Sequence, residues 1–438
     1  MALVELVREA GVVGAGGGGF PTHVKLAGKA DTVIANGAEC EPLLHKDAAV
    51  MEREAARVVA GMLATMEAVG ATRGIVGIKK KNSRAIEMIT AASAGQPISV
   101  HLLGDYYPAG DEYDLVYETT GRLIPPAGIP LNVGAVVCNV ETFANISRAA
   151  ENLPVTEKTV TIGGAVRSPV TLTVPVGTPF REVIDAAGGL TTDDPVLCLG
   201  GLMMGTTSDN LDTPVLKTTT GAIVLPRTHH VVRRKLKPWN HQAKIGKSAC
   251  DQCRFCTELC PRYLLGYPVE PHRVMRSLGF TATDRRLLDE WAALCCSCGL
   301  CTLYSCPEEL FPKEACDTSK DELRKAGFKW TTQSQVHTHP LREGRRVPIR
   351  ALMRKLDVEK FDHPAHWEDL SVNPARVVLP LKQAAGAPAS AVVKSGDQVK
   401  KGQVIGRVPD GTLGAHLHAS IEGIVTVNET SIAIQRTK

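Results

Sequence analysis

The sequence predicts a multidomain α/β protein, on three observations. The chain has 438 residues, more than one hydrophobic core sustains, so roughly two to four domains are expected. Glycine is plentiful, at 40 residues, and concentrates early, in "GAGGGGFPTHVKL" (14–26), a backbone nearly bare of side chains. Further on the character of the chain shifts. Residues 159–206 alternate like strands and run into a helix near Pro179, and residues 375–438 are short strands and glycine turns.

Composition narrows the function. With 44% apolar and 22% charged residues the chain reads as an ordinary globular protein. The formal charge of +4 is too weak to argue for nucleic acid, and no Lys/Arg run is interleaved with aromatics. No apolar run reaches the ~18 residues of a membrane helix. The N-terminus "MALVELVREAGVVG" carries Glu5, Arg8 and Glu9 inside its apolar pattern, which predicts an amphipathic helix rather than a signal peptide. The basic stretch "HHVVRRKLKPWNHQAK" (229–244) reads as a solvated linker.

Thirteen cysteines without a visible export signal point to a reducing compartment and to metal binding. "CDQCRFCTELCP" places Cys250, Cys253, Cys256 and Cys260 in the run C-x2-C-x2-C-x3-C-P of two-cluster ferredoxins. Three thiolates two residues apart reach one cubane, and the fourth, before proline, ligates the other. A second run is therefore expected, and "CCSCGLCTLYSCP" supplies Cys295, Cys298, Cys301 and Cys306. Its last gap holds four residues rather than three, so the loop there must bulge by one.

Two [4Fe–4S] clusters follow: Cys250, Cys253, Cys256 and Cys306 for the first, Cys295, Cys298, Cys301 and Cys260 for the second. Cys296 is the alternative to Cys295, at a poorer spacing. Zinc would use paired C-x2-C motifs and fits this order of cysteines badly. Cys40, Cys138, Cys198 and Cys316 are isolated and read as buried thiols. Between the runs, two helices are expected: one opening at Pro271 and stopping at Gly279, the next capped by Thr283 or Asp284 with a stripe of Leu287, Leu288, Trp291 and Leu294.

Cubanes pass single electrons, whereas NADH delivers hydride, so a flavin site is sought between them. The glycine loop is its candidate, because consecutive N–H groups can face a phosphate. "GAGGGGFPTHVK" resembles the flavin loop of the 51-kDa NADH-oxidising subunit of respiratory complex I and of the RnfC protein of the Rnf ferredoxin:NAD oxidoreductase. "NGAECEP" (36–42), "YPAGDE" (107–112) and "NVETFANI" (139–146) resemble further motifs of that family, in the same order. The resemblance implies a Rossmann-type domain in which Gly14, Gly16, Gly17, Gly19 and Lys25 line the FMN phosphate and ring edge. Asn36, Glu39, Tyr107, Gly110, Asn139 and Thr142 would hold ribityl and isoalloxazine groups. Phe20, Glu41 and Glu112 would face the nicotinamide nucleotide. Ala38 stands where complex I subunits carry Asp, and Gly28 where they carry a stacking Phe.

Residues 159–206 resemble the β-grasp (SLBB-like) domain that follows the flavin domain in the family, and residues 375–438 resemble a barrel-sandwich hybrid. In RnfC proteins the hybrid comes first; here it comes last. Together with the widened second cysteine run, that order resembles the cobalamin reductases of propanediol-utilisation microcompartments. The implied division is 1–152 FMN/NADH domain, 153–227 β-grasp, 228–248 basic linker, 249–330 helical di-[4Fe–4S] ferredoxin domain, 331–374 connector and 375–438 all-β barrel-sandwich hybrid. The implied activity is NADH-dependent reduction of cob(III)alamin to cob(II)alamin and cob(I)alamin, in the cytoplasm within a bacterial microcompartment. Implied partners are a corrinoid adenosyltransferase and shell proteins, with no nucleic acid and no membrane span. An Rnf-type NADH:ferredoxin electron-transfer protein, or a docked relay without NADH activity of its own, are the alternatives. His416 and His418 read as a structural pair or as ligands to a metal or corrin.

Overall fold

Four parallel strands form the N-terminal sheet, in the order Ile98–Leu103, Arg73–Lys79, Thr32–Gly37, Ala135–Asn139. This is a computed structural model describing residues 1–280, 286–332 and 335–437. The inner strands are buried almost throughout, as a parallel sheet covered on both faces requires. Helix Lys46–Val69 packs closely on Val140–Ala150: a Cβ at Gly61 would fall 1.9 Å from the Phe143 carbonyl oxygen. After Thr32–Gly37 the chain adds two strands on one side, then returns to its other side with Ala135–Asn139. That reversal opens a crevice at the strands' carboxyl ends, where α/β sheets bind ligands. Asn36 and Asn139 stand at its two lips.

The expected β-grasp unit is present as a five-stranded mixed sheet. Strands Glu157–Gly164 and Val170–Pro175 flank the turn read at Arg167–Pro169, and helix Phe180–Ala186 starts behind Pro179. The segment 228–248, expected as a solvated linker, differs. It forms helices His230–Lys235 and Trp239–Ala249, and Val231 and Val232 are fully buried. Arg233 and Lys237 stay exposed, whereas Arg234 turns inward to the Thr302 and Leu310 carbonyls and Lys235 to the Gly205 carbonyl.

In the cysteine-rich unit, helix Pro271–Ser277 has Pro271 in its first turn, as expected. Thr283 and Asp284 lie outside the described residues. The stripe read from Leu287 is only partly an inner face: Leu294 is buried but Leu287 is 69% exposed. The extra residue between Cys301 and Cys306 is accommodated by a π-helical turn, Cys301–Ser305, the usual way a helix takes up one additional residue.

Residues 331–374 are more than a connector. Strand Val347–Pro348 pairs antiparallel with Tyr106–Tyr107, and the Arg342 guanidinium reaches Asp114 at 2.5 Å and Glu118 at 2.7 Å. The C-terminal unit comprises a four-stranded and a three-stranded sheet around Val377, Ile405, Leu417, Val425 and Ile434. It packs on the first domain: Arg407 pairs with Glu9 at 3.1 Å, Arg8 pairs with Asp410, and the Ala385 N–H donates to the Gly19 carbonyl at 2.9 Å.

Burial raises the Asp114 carboxyl pKa, and Arg342 opposes that rise. Removing Arg342 would strand a buried carboxyl. Arg342→Leu is therefore expected to cost about 3 kcal/mol in urea unfolding of the N-terminal unit. Arg345→Leu, which breaks the more exposed pair with Glu258 at 3.1 Å, should cost less than about 1 kcal/mol.

Candidate functional site

A cavity of about 1030 Å³ fills the crevice. The glycine loop, Asn36–Glu41 and Cys138–Asn139 form one wall. Leu216 and Thr218–Thr220 of the β-grasp unit form another. Arg262, Tyr267, Cys295, Cys296, Cys298 and Lys320 of the cysteine-rich unit close it.

The glycine loop is tied off by Gly14 N–H to the Phe20 carbonyl, 2.9 Å, and Gly19 N–H to the Gly14 carbonyl, 3.2 Å. Gly17 (φ 103°) and Gly19 (φ 60°) take a left-handed backbone that favours glycine. A Cβ at Gly17 or Gly18 would meet nothing within 4 Å, so this backbone borders open space, whereas one at Gly19 would strike Thr218 at 2.8 Å. Beneath the loop, the Ala15 N–H donates to Thr142 Oγ1 at 2.9 Å, and the Ala15 carbonyl accepts from Lys158 Nζ at 2.9 Å. Lys158 and Lys46 both pair with Glu141, Lys46 at 3.0 Å, and Lys46 also pairs with Asp47 at 2.7 Å. All four side chains are buried. Burial pulls the Lys158 ammonium down to about 8, whereas Asp47 and Glu141 outweigh burial at Lys46 and hold it above its usual value.

Lys25 points along the cavity. Its Nζ donates to the Val137 carbonyl at 2.8 Å and stands 3.5 Å from Glu112. Burial alone would lower it; Cys138 and Glu112 outweigh that and hold it charged. A bare backbone arc, an enclosed cation and room for a cofactor-sized ligand fit a flavin mononucleotide.

Gly14, Gly16, Gly17, Gly19, Phe20, Lys25, Asn36, Glu39, Glu41, Gly110, Glu112 and Asn139 all line the cavity. Two amides are already engaged. Asn36 donates to the Gly110 carbonyl at 2.9 Å, and Asn139 caps helix Val140–Ala150 while donating to Asp47 at 2.9 Å. The Glu41 carboxylate accepts from Met203 N–H at 2.8 Å and Met204 N–H at 2.7 Å, locking the β-grasp loop to the flavin domain. Thr142 supports the loop from below, outside the lining. Tyr107 also lies outside it, its buried hydroxyl donating to the Cys298 carbonyl at 2.6 Å. At Gly28 a Cβ would fall 2.9 Å from Leu131 Cδ2, and neither residue lines the cavity.

Sequence reasoning missed Lys46, Lys158, Arg262 and Lys320, and it set aside Cys40 and Cys138, which line the cavity. Arg262 stacks on Tyr113 at 3.5 Å and pairs with Asp111 at 2.8 Å; its only sequence signal is a cation directly after Cys260-Pro261. Lys320 Nζ donates to the Cys295 carbonyl at 2.6 Å.

The cysteines gather in two sets. Cys250, Cys253, Cys256 and Cys306 line one small cavity of about 20 Å³. Burial first, then the other three thiols, push Cys256 up to about 12. In the second set, burial followed by Cys296 and Cys295 raises Cys260, and burial followed by Cys295, Cys256 and Cys260 raises Cys301. Buried thiols that repel one another as thiolates are a donor set that a multivalent metal centre relieves, so both sets fit iron–sulfur clusters. Cys296 hydrogen-bonds with Cys298, while Cys295 hydrogen-bonds with the buried Cys316 and is lowered to about 7 by that contact.

Fold and site define a flavin- and iron–sulfur-binding electron-transfer protein, and family matches follow the chain in the same order. They are the Nuo51 FMN-binding domain over residues 7–148, the SLBB domain over 159–207, the 4Fe-4S dicluster domain over 249–311 and the RnfC barrel sandwich hybrid domain over 367–437. Cobalamin reductase PduS of Citrobacter freundii is 42% identical over 437 residues, 99% of this chain and 96% of its own length. That of Salmonella typhimurium is 41% identical over 442 residues, with the same coverage. A component of the proton-translocating ferredoxin:NAD(+) oxidoreductase complex of Clostridium ljungdahlii is 38% identical over 269 residues, 60% of this chain and 56% of its own. The chain belongs to the PduS cobalamin reductase family.

Gly18→Val should leave the fold intact, because a Cβ there meets nothing, yet put a side chain into the cavity that the loop borders. FMN content is expected to fall at least tenfold with iron content unchanged, read by absorbance and iron analysis. A second expectation concerns pH. Burial first, then Asp47, raises Glu39 to about 8. Below pH 8 it is a neutral acid; above it, a carboxylate faces an anionic ligand. FMN affinity should therefore weaken above pH 8, by up to about tenfold per pH unit for one proton, and Glu39→Gln should flatten that dependence.

Proposed function

We propose that this chain reduces cobalamin with electrons from NADH, serving corrinoid recycling inside a bacterial microcompartment. The observation that carries the reading is the shared cavity: the glycine loop and the second cysteine run line the same space. The flavin bound there, with the two clusters, supplies the conversion of two-electron reduction into single-electron transfer.

The chain's own residues bind, orient and close off that site. Gly16–Gly19 and Lys25 receive the phosphate and ring edge. Asn36, Gly110 and Asn139 set the strand-end loops against each other. Phe20 and Glu112 face the nicotinamide nucleotide at the mouth, and Glu41 holds the β-grasp loop over it. Tyr107 fixes the Cys298 carbonyl. Cys250, Cys253, Cys256 and Cys306 hold one cluster, and Cys260, Cys295, Cys298 and Cys301 the other. The Cys296–Cys298 contact favours testing Cys296 beside Cys295: Cys295→Ser should lose one cluster and Cys296→Ser none, by iron analysis and EPR.

The barrel-sandwich unit at the C-terminal end sets this chain apart from the Rnf arrangement. Among the described residues no helix is long and apolar enough to cross a membrane. A corrinoid adenosyltransferase and shell proteins are the proposed partners. Gly28, packed against Leu131 where the family carries a stacking Phe, favours one second reading, a relay that does not itself meet NADH. Anaerobic bleaching of the flavin by NADH in the isolated protein decides between the two.

The activity is tested by anaerobic NADH-driven reduction of cob(III)alamin, comparing the wild type with Cys298→Ala. The variant should be at least tenfold slower with its flavin retained. Equal rates would show that electrons reach the corrinoid without the cluster at Cys260, Cys295, Cys298 and Cys301.

A further inference from the structure

The two cysteine sets differ in what surrounds them. Cys295, Cys296 and Cys298 line the large cavity with the glycine loop, and the first set does not. Cys250, Cys253, Cys256 and Cys306 surround a separate small cavity, and Cys253 is exposed. Next to Cys253, Arg254 is exposed and Phe255 is 49% exposed. Helix Trp239–Ala249 leads straight into this loop. Its inner face carries the buried Gln242 and Gly246, the latter against Met275 and Leu278. Its outer face presents Lys244, Ile245 and Lys247. The helix has no acidic residue. The nearby carboxylates include Asp251 and Glu308, both exposed, and three that are paired: Glu309 with Arg234 at 3.3 Å, Glu258 with Arg345 at 3.1 Å and Glu270 with Arg273 at 2.9 Å.

We infer that the surface around Cys253, formed by Arg254, Phe255 and the Lys244–Lys247 face, is an electron exit additional to the corrinoid, where an acidic one-electron acceptor protein docks. The inference rests on the reductase reading above. Electrons enter where the nucleotide meets the glycine loop; NADH yields NAD+, one proton and two electrons, and two acceptor molecules each take one. The second cysteine set lies on the entry side, so the first set is the one an acceptor can approach. An exposed aromatic flanked by cations is the anatomy of a small, transient interface: an apolar contact at the centre, with steering charge at the rim. The outer face of helix Trp239–Ala249, which carries Lys244 and Lys247, is then the steering element.

The test uses the holoprotein and two probes, the acidic cytochrome b5 and the basic cytochrome c. Hydrogen–deuterium exchange at low salt should show protection by oxidised cytochrome b5 within residues 239–256. Lys244→Glu combined with Lys247→Glu should slow NADH-driven cytochrome b5 reduction at least tenfold and remove the exchange protection. Ferricyanide reduction, flavin content and iron content should stay at wild-type levels. The Lys244→Gln/Lys247→Gln pair should give an intermediate rate, and the wild-type rate should fall with added salt. Protection elsewhere, or unchanged cytochrome b5 kinetics in the charge-reversed variant, would overturn the docking face, as would faster reduction of cytochrome c than of cytochrome b5. Failure of the wild type to reduce ferricyanide with NADH would overturn the reductase reading itself, and so separates the two.

Discussion

A loop without side chains cannot hold its own shape, and the site depends on what holds it. Here the Ala15 peptide is gripped on both sides, its N–H by Thr142 and its carbonyl by Lys158. Lys158 comes from the first strand of the β-grasp unit, Glu141 from the helix after Asn139, and Lys46 from the helix after the acidic loop. Buried charges are tolerated only when paired and hydrogen-bonded. The set Lys46, Asp47, Glu141 and Lys158 meets that condition by drawing three separated parts of the chain under one loop. The cradle above it is thereby shaped before any ligand arrives.

The same economy joins the flavin domain to the cysteine-rich unit. Tyr107 bonds the Cys298 carbonyl and Arg262 pairs with Asp111, while Lys320 bonds the Cys295 carbonyl within the cysteine-rich unit itself. Tyr107 and Lys320 hold the second cysteine run in place, and Arg262 ties the segment after Cys260 to the flavin domain. Glu41 does likewise for the loop at Met203 and Met204. Family motifs such as the acidic loop and the Tyr-x-x-Gly segment thus serve partly as inter-domain fasteners. The C-terminal unit joins in through the Ala385 N–H on the Gly19 carbonyl, so it braces the glycine loop as well.

What was legible in the sequence was local. The cysteine runs and the glycine loop announce themselves because their chemistry demands fixed spacing within a dozen or so residues. The four-residue gap before Cys306 even foretold a local irregularity, found as a π turn. Long-range partners left no such trace. Nothing near Lys158 marks it as a loop support, and Arg342 lies 228 residues from Asp114. The basic segment misled because charge dominates its composition while two valines decide its packing. Cys316 read as an isolated thiol because helix Pro312–Lys325, and not sequence spacing, brings it to Cys295.

The central claim is that the cysteine run at Cys295–Cys301 stands between the flavin cavity and the run at Cys250–Cys256. Rapid-freeze EPR after mixing with NADH tests it directly, comparing the wild type with Cys298→Ala. The account predicts that the variant's flavin is reduced by NADH while its remaining cluster stays oxidised on the time scale of wild-type turnover. Reduction of that cluster at the wild-type rate would contradict it.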